Sequence, residues 1–263
     1  MAGVRLEAKV HIVTGAVSSA QNIVKCANKT GLNVADIVLQ PLASSEAVLS
    51  DDERELGVCL VDIGAGTTDI AIYTQGSIRY TASLPVGGDQ VTSDIAYGVH
   101  TPTAHAEEIK IKYACAQTGL AHAEETIQVP SVGDRPPRRL ARQALAQSVQ
   151  ARYEEIFEMV QDKLRSSGYD SMVAAGVVLT GGASKMEGAL ELAEEIFHKM
   201  VRLGVPQEIS GFGEIISSPL HATGAGLLLH GSRHNAPVRG ANPALGNVGG
   251  LLGKWRNWLT KNF

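Results

Sequence analysis

Cysteine is scarce in this 263-residue chain: Cys26, Cys59 and Cys115 form no C-x-x-C pair and no Cys/His cluster. A disulfide framework and a structural zinc site are therefore not expected, and the usage fits a reducing compartment. No apolar run reaches the ~18 residues of a membrane-spanning helix. The opening MAGVRLEAKV has no apolar h-region, so no secretory signal is expected. Acidic side chains stop at Glu214. Five of the 23 basic residues and none of the 27 acidic ones follow it, so the last 49 residues carry +5 and the first 214 carry −9. A basic tail on an acidic body points to a separate, anionic partner for the tail. There is no repeat at a fixed period, and the eight histidines are scattered, without the spacing of metal-dependent or thiol catalysis.

What remains is ordinary globular composition, 44% hydrophobic and 19% charged, enough for one or two α/β domains. Apolar runs predict strands at Val10–Val13 and Val34–Leu39, with a helix over Ser18–Thr30 stopped by Gly31. A second helix follows over Pro41–Leu49, then a polar break at Asp51, Asp52 and Glu53. The strongest β signal is a three-stranded meander: Gly57–Ile63, Thr68–Tyr73 and Ser77–Thr81. Helices are expected at Asp89–Gly98, Ala104–Ala114, Lys185–Met200 and Thr223–His230, a loop at Ser131–Arg139 and a strand at Ala174–Leu179. A long amphipathic helix is expected at Arg142–Ser167, with Leu145, Val149, Tyr153, Ile156, Phe157, Val160 and Leu164 on its buried face.

Two glycine corners carry candidate chemistry. Asp62-Ile-Gly-Ala-Gly-Thr-Thr-Asp69 joins two strands. Gly64 and Gly66 let successive backbone N–H groups converge on one anion, Thr67 and Thr68 add hydroxyls, and Asp62 is placed to hold a hydrated Mg²⁺. With no lysine after the glycines and a strand rather than a helix following, it is not a P-loop. The alternative is a plain glycine hairpin. Thr180-Gly-Gly-Ala-Ser184 runs from a strand towards a helix, with Ser184 and Glu187 at capping-box spacing. Gly181 and Gly182 admit a flat ligand or a phosphate near a helix N-terminus. The alternative is an ordinary strand–turn–helix.

The pair of corners resembles the phosphate and adenosine elements of the actin-like ATPase superfamily. Gln40-Pro-Leu-Ala-Ser-Ser-Glu46 resembles its connecting helix, with Gln40 in the water-positioning place; otherwise Gln40 is a polar residue ahead of a helix. Glu107-Glu-Ile-Lys110 resembles its E-x-x-K helix, whose side chains flank ribose and adenine; otherwise Glu107 and Lys110 are an i,i+3 surface pair. Within the superfamily, the runs DERELGVCLVDIGAGTTDIAIYTQGSIRYT, VTSDIAYGV, VPSVGDRPPR and AAGVVLTGGASKMEG resemble the FtsA family of bacterial cell-division proteins. The resemblance implies an α/β, actin-like (ribonuclease H-like) fold that is incomplete, lacking the first phosphate motif and subdomain 1C. Residues 1–56 correspond to the end of subdomain 1A and the connecting helix, 57–200 to subdomains 2A and 2B, and 201–230 to the closing segment.

The same resemblance implies an ATP- and Mg²⁺-binding protein, at most a weak ATPase. It would form filaments with itself on the cytoplasmic face of the inner membrane at the septum, tether FtsZ and recruit other divisome proteins, with no nucleic-acid partner. A sugar-kinase-type phosphotransferase and a pilus-assembly adaptor are the alternatives on this fold. Residues 231–249, rich in Gly, Pro, Asn and Ala, read as a linker. In 250–263, Leu251, Leu252, Trp255, Trp258, Leu259 and Phe263 share one helical face opposite Lys254, Arg256 and Lys261. Such a helix lies in the interface of an anionic membrane. Docking on the protein's own core is the alternative.

Overall fold

The computed structural model describes residues 5–8, 10–131, 133, 136–207 and 216–234. The chain divides into two units, Met1–His230 and Gly231–Phe263. In the first, strands β1 (Val58–Ile63), β2 (Thr68–Thr74), β3 (Ser77–Leu84), β6 (Val177–Thr180) and β7 (Val201–Leu203) form one sheet in the order β3-β2-β1-β6-β7. The expected meander supplies the antiparallel half, and β1, β6 and β7 run parallel. A separate hairpin pairs β4 (Thr126–Val129) with β5 (Arg138–Ala141), so the expected 131–139 loop ends in a strand.

Side-chain alternation sorts β1 onto two covered faces. Cys59, Val61 and Ile63 face a core shared with α4 (Gly88–Gly98), α5 (Thr103–Tyr113), α6 (Arg142–Ser166) and α7 (Ala189–Phe197). Val58 and Leu60 face α2 (Gln40–Val48) and α8 (Ala222–His234), with Ala71, Tyr73 and Val178 beside them. Along α6 every residue of the expected apolar face is buried. The two helices on the second face approach closely because Gly226 has no side chain: a Cβ there would lie 1.7 Å from the Ala43 carbonyl oxygen.

Several sequence expectations change. Val10–Val13 and Val34–Leu39 form no strand; His11 reaches β3 through its side chain alone, with Nε2 3.0 Å from the Thr81 hydroxyl. Helix α1 (Val17–Lys29) forms where expected and stops before Gly31 at φ +84°, yet none of its residues is buried. The polar break at 51–53 is the start of a short helix, α3 (Asp51–Leu56), closed by a capping box between Ser50 and Glu53. Residues 231–234 of the expected linker belong to α8. The rest of the linker and the 250–263 helix, with Leu251, Leu252, Trp255, Trp258, Leu259 and Phe263, lie outside the described residues. Among the described residues no helix is long and apolar enough to cross a membrane.

Candidate nucleotide cleft

The alternation of β1 fixes where its last polar side chain points. After Val58 and Leu60, Asp62 is the next residue on the face that α2 and α8 cover, and it is 2% exposed. Its Oδ2 accepts a hydrogen bond from the Ser44 hydroxyl at 2.6 Å. The Thr223 hydroxyl, at 3.4 Å, and the Gln40 side-chain amide, at 3.5 Å, approach the same oxygen. Burial raises the Asp62 carboxyl above its ordinary value, and the hydrogen bonds from Ser44, Gln40 and Thr223 partly offset it.

The first glycine corner is the β1–β2 turn. The Gly64 amide donates to the Thr67 carbonyl at 2.9 Å. The Gly88 and Asp89 amides, at the start of α4, donate to the carbonyls of Gly64 and Ala65 at 2.9 and 2.8 Å. The preceding Gly87 has to be glycine, since a Cβ would lie 2.6 and 2.7 Å from the Ala65 and Gly64 carbonyl oxygens. The Thr68 hydroxyl donates inward to the Val86 carbonyl at 2.8 Å, and that of Thr67 to Asp69 at 3.3 Å.

The second corner follows β6, which lies parallel to β1 with Thr180 opposite Asp62. Gly181 adopts φ +87°, and a Cβ there would lie 2.4 Å from the Ile63 carbonyl oxygen and 2.5 Å from Asp62 Oδ1. Only glycine lets the two corners touch. The expected Ser184–Glu187 capping box does not form. The Ser184 hydroxyl donates to the Gly181 carbonyl at 2.7 Å within a 3₁₀ turn, Gly182–Lys185. Gly188, at φ +80°, breaks the chain before α7 begins at Ala189, so the expected 185–200 helix is shorter at both ends. Glu187 instead accepts from Arg142 at 2.8 Å.

On α5, Glu107 and Lys110 are more than a surface pair. The Lys110 ammonium, 13% exposed, lies 2.7 Å from the Glu107 carboxylate. It donates to the Gly88 carbonyl at 3.0 Å and to the Thr92 hydroxyl at 2.8 Å, and Thr92 in turn donates to Glu107. Burial opposes the charge of Glu107, but Lys110 and Thr92 outweigh it and hold the carboxyl below its ordinary value.

These pieces meet around one cavity of about 670 Å³, within the range of small-molecule sites. Gln40, Asp62, Gly64, Glu107, Lys110, Gly181 and Gly182 all line it. Gly66, Thr67, Thr68 and Ser184 do not; Thr68 and Ser184 brace the two corners from behind. Sequence reasoning missed Ser44, Thr92, Tyr153 and Thr223, whose roles depend on contacts between residues distant in the chain. Lysines 110, 112 and 185, the carboxylates Asp62, Asp89, Glu107 and Glu187, and the backbone-lined glycine corners suit a phosphorylated ligand accompanied by a cation. A second cavity, of about 530 Å³ beside α1, is lined mainly by apolar groups such as Val13, Val17, Val24, Ile37 and Leu39, a poor lining for phosphate.

The family model for cell division protein FtsA matches residues 59–226. FtsA of Pseudomonas aeruginosa is 63% identical over 231 residues, covering 88% of this chain and 55% of that protein. FtsA of Escherichia coli K12 is 44% identical over 272 residues, covering all of this chain and 65% of that protein. The chain thus spans somewhat more than half the length of these curated relatives. Among solved structures, MreB5 of Spiroplasma citri bound to ADP is similar with a TM-score of 0.68 at 16% identity, covering 83% of this chain and 66% of that one. The ethanolamine utilization protein EutJ of Carboxydothermus hydrogenoformans gives a TM-score of 0.59 at 22% identity, covering 82% of this chain and 62% of that one. A chain of a PilM–PilN type IV pilus biogenesis complex gives 0.60 at 17%, covering 81% and 57%. The shared feature is the actin-like fold, here built on the five-stranded sheet and its helices.

Proposed function

The chain belongs to the FtsA family of cell division proteins, and on that premise we propose that its cleft binds ATP with Mg²⁺ while its basic tail holds the protein to an anionic membrane. The observation that carries the first half is the contact between the corners: Gly181 abuts Asp62 and Ile63, so Gly64 and Gly181–Gly182 open onto one cavity. In this reading the phosphates lie against the backbone at Gly64–Ala65 and Gly181–Gly182, the parts of the two corners that line the cavity. Asp62 holds the hydrated cation, which would neutralise phosphate charge. Glu107 and Lys110 flank ribose and base, and Gln40 stands where an attacking water would be oriented.

The tail reading rests on the 250–263 pattern. Three basic side chains at roughly 1 kcal/mol each bind one copy weakly, and a filament of many copies binds far more firmly. Tethering of FtsZ filaments, recruitment of other divisome proteins and a peripheral place on the inner membrane at the septum complete the proposal. Residues 1–56, 57–200 and 201–230 would supply the 1A, 2A–2B and closing parts of the fold. The FtsA match disfavours a sugar-kinase activity, and likeness to PilM at 17% identity extends to fold alone.

Sedimentation with anionic liposomes, with and without residues 250–263 and with and without ATP–Mg²⁺, tests the proposal. Pelleting that requires the tail supports the tether, and pelleting raised by ATP–Mg²⁺ supports coupling to assembly. Equal pelleting of both lengths overturns the tether.

A further inference from the structure

We propose that Ser44 and Thr223 are positioning residues that aim the Asp62 carboxylate, a role that rests on the reading of Asp62 as the residue holding the cation of a nucleotide. Three side chains from three elements meet at one point: Asp62 from the end of β1, Ser44 from α2 and Thr223 from the first turn of α8. The Ser44 hydroxyl is 2.6 Å from Asp62 Oδ2 and 2.9 Å from the Thr223 hydroxyl. A serine has one proton to give. At 2.6 Å that proton belongs to the carboxylate, so the Ser44 oxygen is left to accept from Thr223. The main path runs Thr223 to Ser44 to Asp62, beside a longer direct approach of the Thr223 hydroxyl to Oδ2 at 3.4 Å.

The consequence is directional. Oδ2 is engaged on the helix side, while Oδ1 is the oxygen beside Gly181, 2.5 Å from where a Cβ would stand. Rotation of the carboxylate would break its shortest hydrogen bond, so one oxygen is presented at the glycine corners and the other anchored away from them. The anchor is firm because its two helices are locked together: Gly226 packs on the Ala43 backbone, one residue before Ser44 and three after Thr223. Ala43, Ser44, Ala47, Ala222 and Ala225 keep this crossing thin and buried. Any change in the α2–α8 crossing therefore reaches the cation-holding oxygen through two hydroxyls.

Nucleotide affinity measured by isothermal titration across a Mg²⁺ series separates positioning from packing. Thr223→Val keeps the side-chain shape and removes the donor. We expect it to raise the Mg²⁺ needed for half-maximal ATP binding about 3- to 10-fold, while affinity without Mg²⁺ falls less than two-fold. Thr223→Ser should restore the wild-type requirement. Ser44→Ala should shift it at least as far, and the double variant should shift it by less than the two single effects combined, because Thr223 acts mainly through Ser44. If Thr223→Val has lost cooperative thermal unfolding, Ser44→Ala decides by the same comparison. An unchanged Mg²⁺ requirement in Ser44→Ala and Thr223→Val, beside a raised one in Asp62→Asn, overturns the positioning role and leaves the Asp62 reading intact. Equal loss of binding with and without Mg²⁺ also overturns it. A wild-type Mg²⁺ requirement in Asp62→Asn overturns the Asp62 reading and the positioning role with it.

Discussion

The Tyr153 hydroxyl donates to the Ala183 carbonyl at 2.7 Å, so the long helix α6 props the second glycine corner from the core side. Tyr153 is 1% exposed and stands among Ile156, Phe157 and Val160. Its ring packs on Phe157 with centroids 5.9 Å apart. Tyr153→Phe keeps the ring and leaves the Ala183 carbonyl only the longer bond from the Met186 amide, at 3.3 Å. The expected cost is about 1–2 kcal/mol in denaturant unfolding, with ATP affinity several-fold lower.

The Lys110 ammonium fastens α5 to α4 through Gly88 and Thr92, and pairs with Glu107 one turn earlier on α5. Lys110→Met retains the apolar stem and strands Glu107 without its countercharge. ATP affinity by isothermal titration should fall about tenfold or more, and Glu107→Gln should fall less, since Lys110 keeps its bonds to Gly88 and Thr92. Equal binding in wild type and Lys110→Met would remove this pair from the site.

Two glycines of α8 make an internal control. A Cβ at Gly226 would strike the Ala43 backbone at 1.7 Å, whereas one at Gly224 meets nothing within 4 Å. Gly226→Ala should destabilise by roughly 3 kcal/mol or prevent folding. Gly224→Ala should stabilise by roughly 0.5–1 kcal/mol, as expected at an open helical position. Urea midpoints of the two variants should move in opposite directions.

Glu53 joins α3 to β7 through a bidentate pair with Arg202, at 2.6 Å for each bond. Burial opposes its charge, but Arg202 and the Ser50 backbone amide hold the carboxyl below its ordinary value. A carboxyl lowered on folding stabilises above its unfolded pKa of about 4.3, and that contribution is lost as pH falls through the folded value. Glu53→Gln should cost about 1–2 kcal/mol at pH 7, and the gap from wild type should narrow as the pH falls below the unfolded value of about 4.3.

The meander and α6 were legible in the sequence because their signals are local: alternation beside tight turns, and apolar residues from Leu145 to Leu164 at helical spacing. Val10–Val13 and Val34–Leu39 carry the same apolar character but need a neighbouring strand to become part of a sheet. Glycine corners and the E-x-x-K spacing identified both ends of the cleft. Ser44, Thr92 and Thr223 stayed hidden because a hydroxyl on a small-residue helix has no pattern until its partner, 15 to 179 residues away, is in place. The Ser184–Glu187 capping box fails because no helix starts there: the Ser184 hydroxyl turns back to the Gly181 carbonyl, and Gly188 at φ +80° separates the turn from α7.

The most direct test of the central claim follows backbone amide shifts by NMR as ATP–Mg²⁺ is added to the protein. The account predicts that Gly64 and Gly66 in one corner and Gly181 and Gly182 in the other shift together on a single saturation curve. Movement at one corner alone, or at neither, would contradict a shared nucleotide.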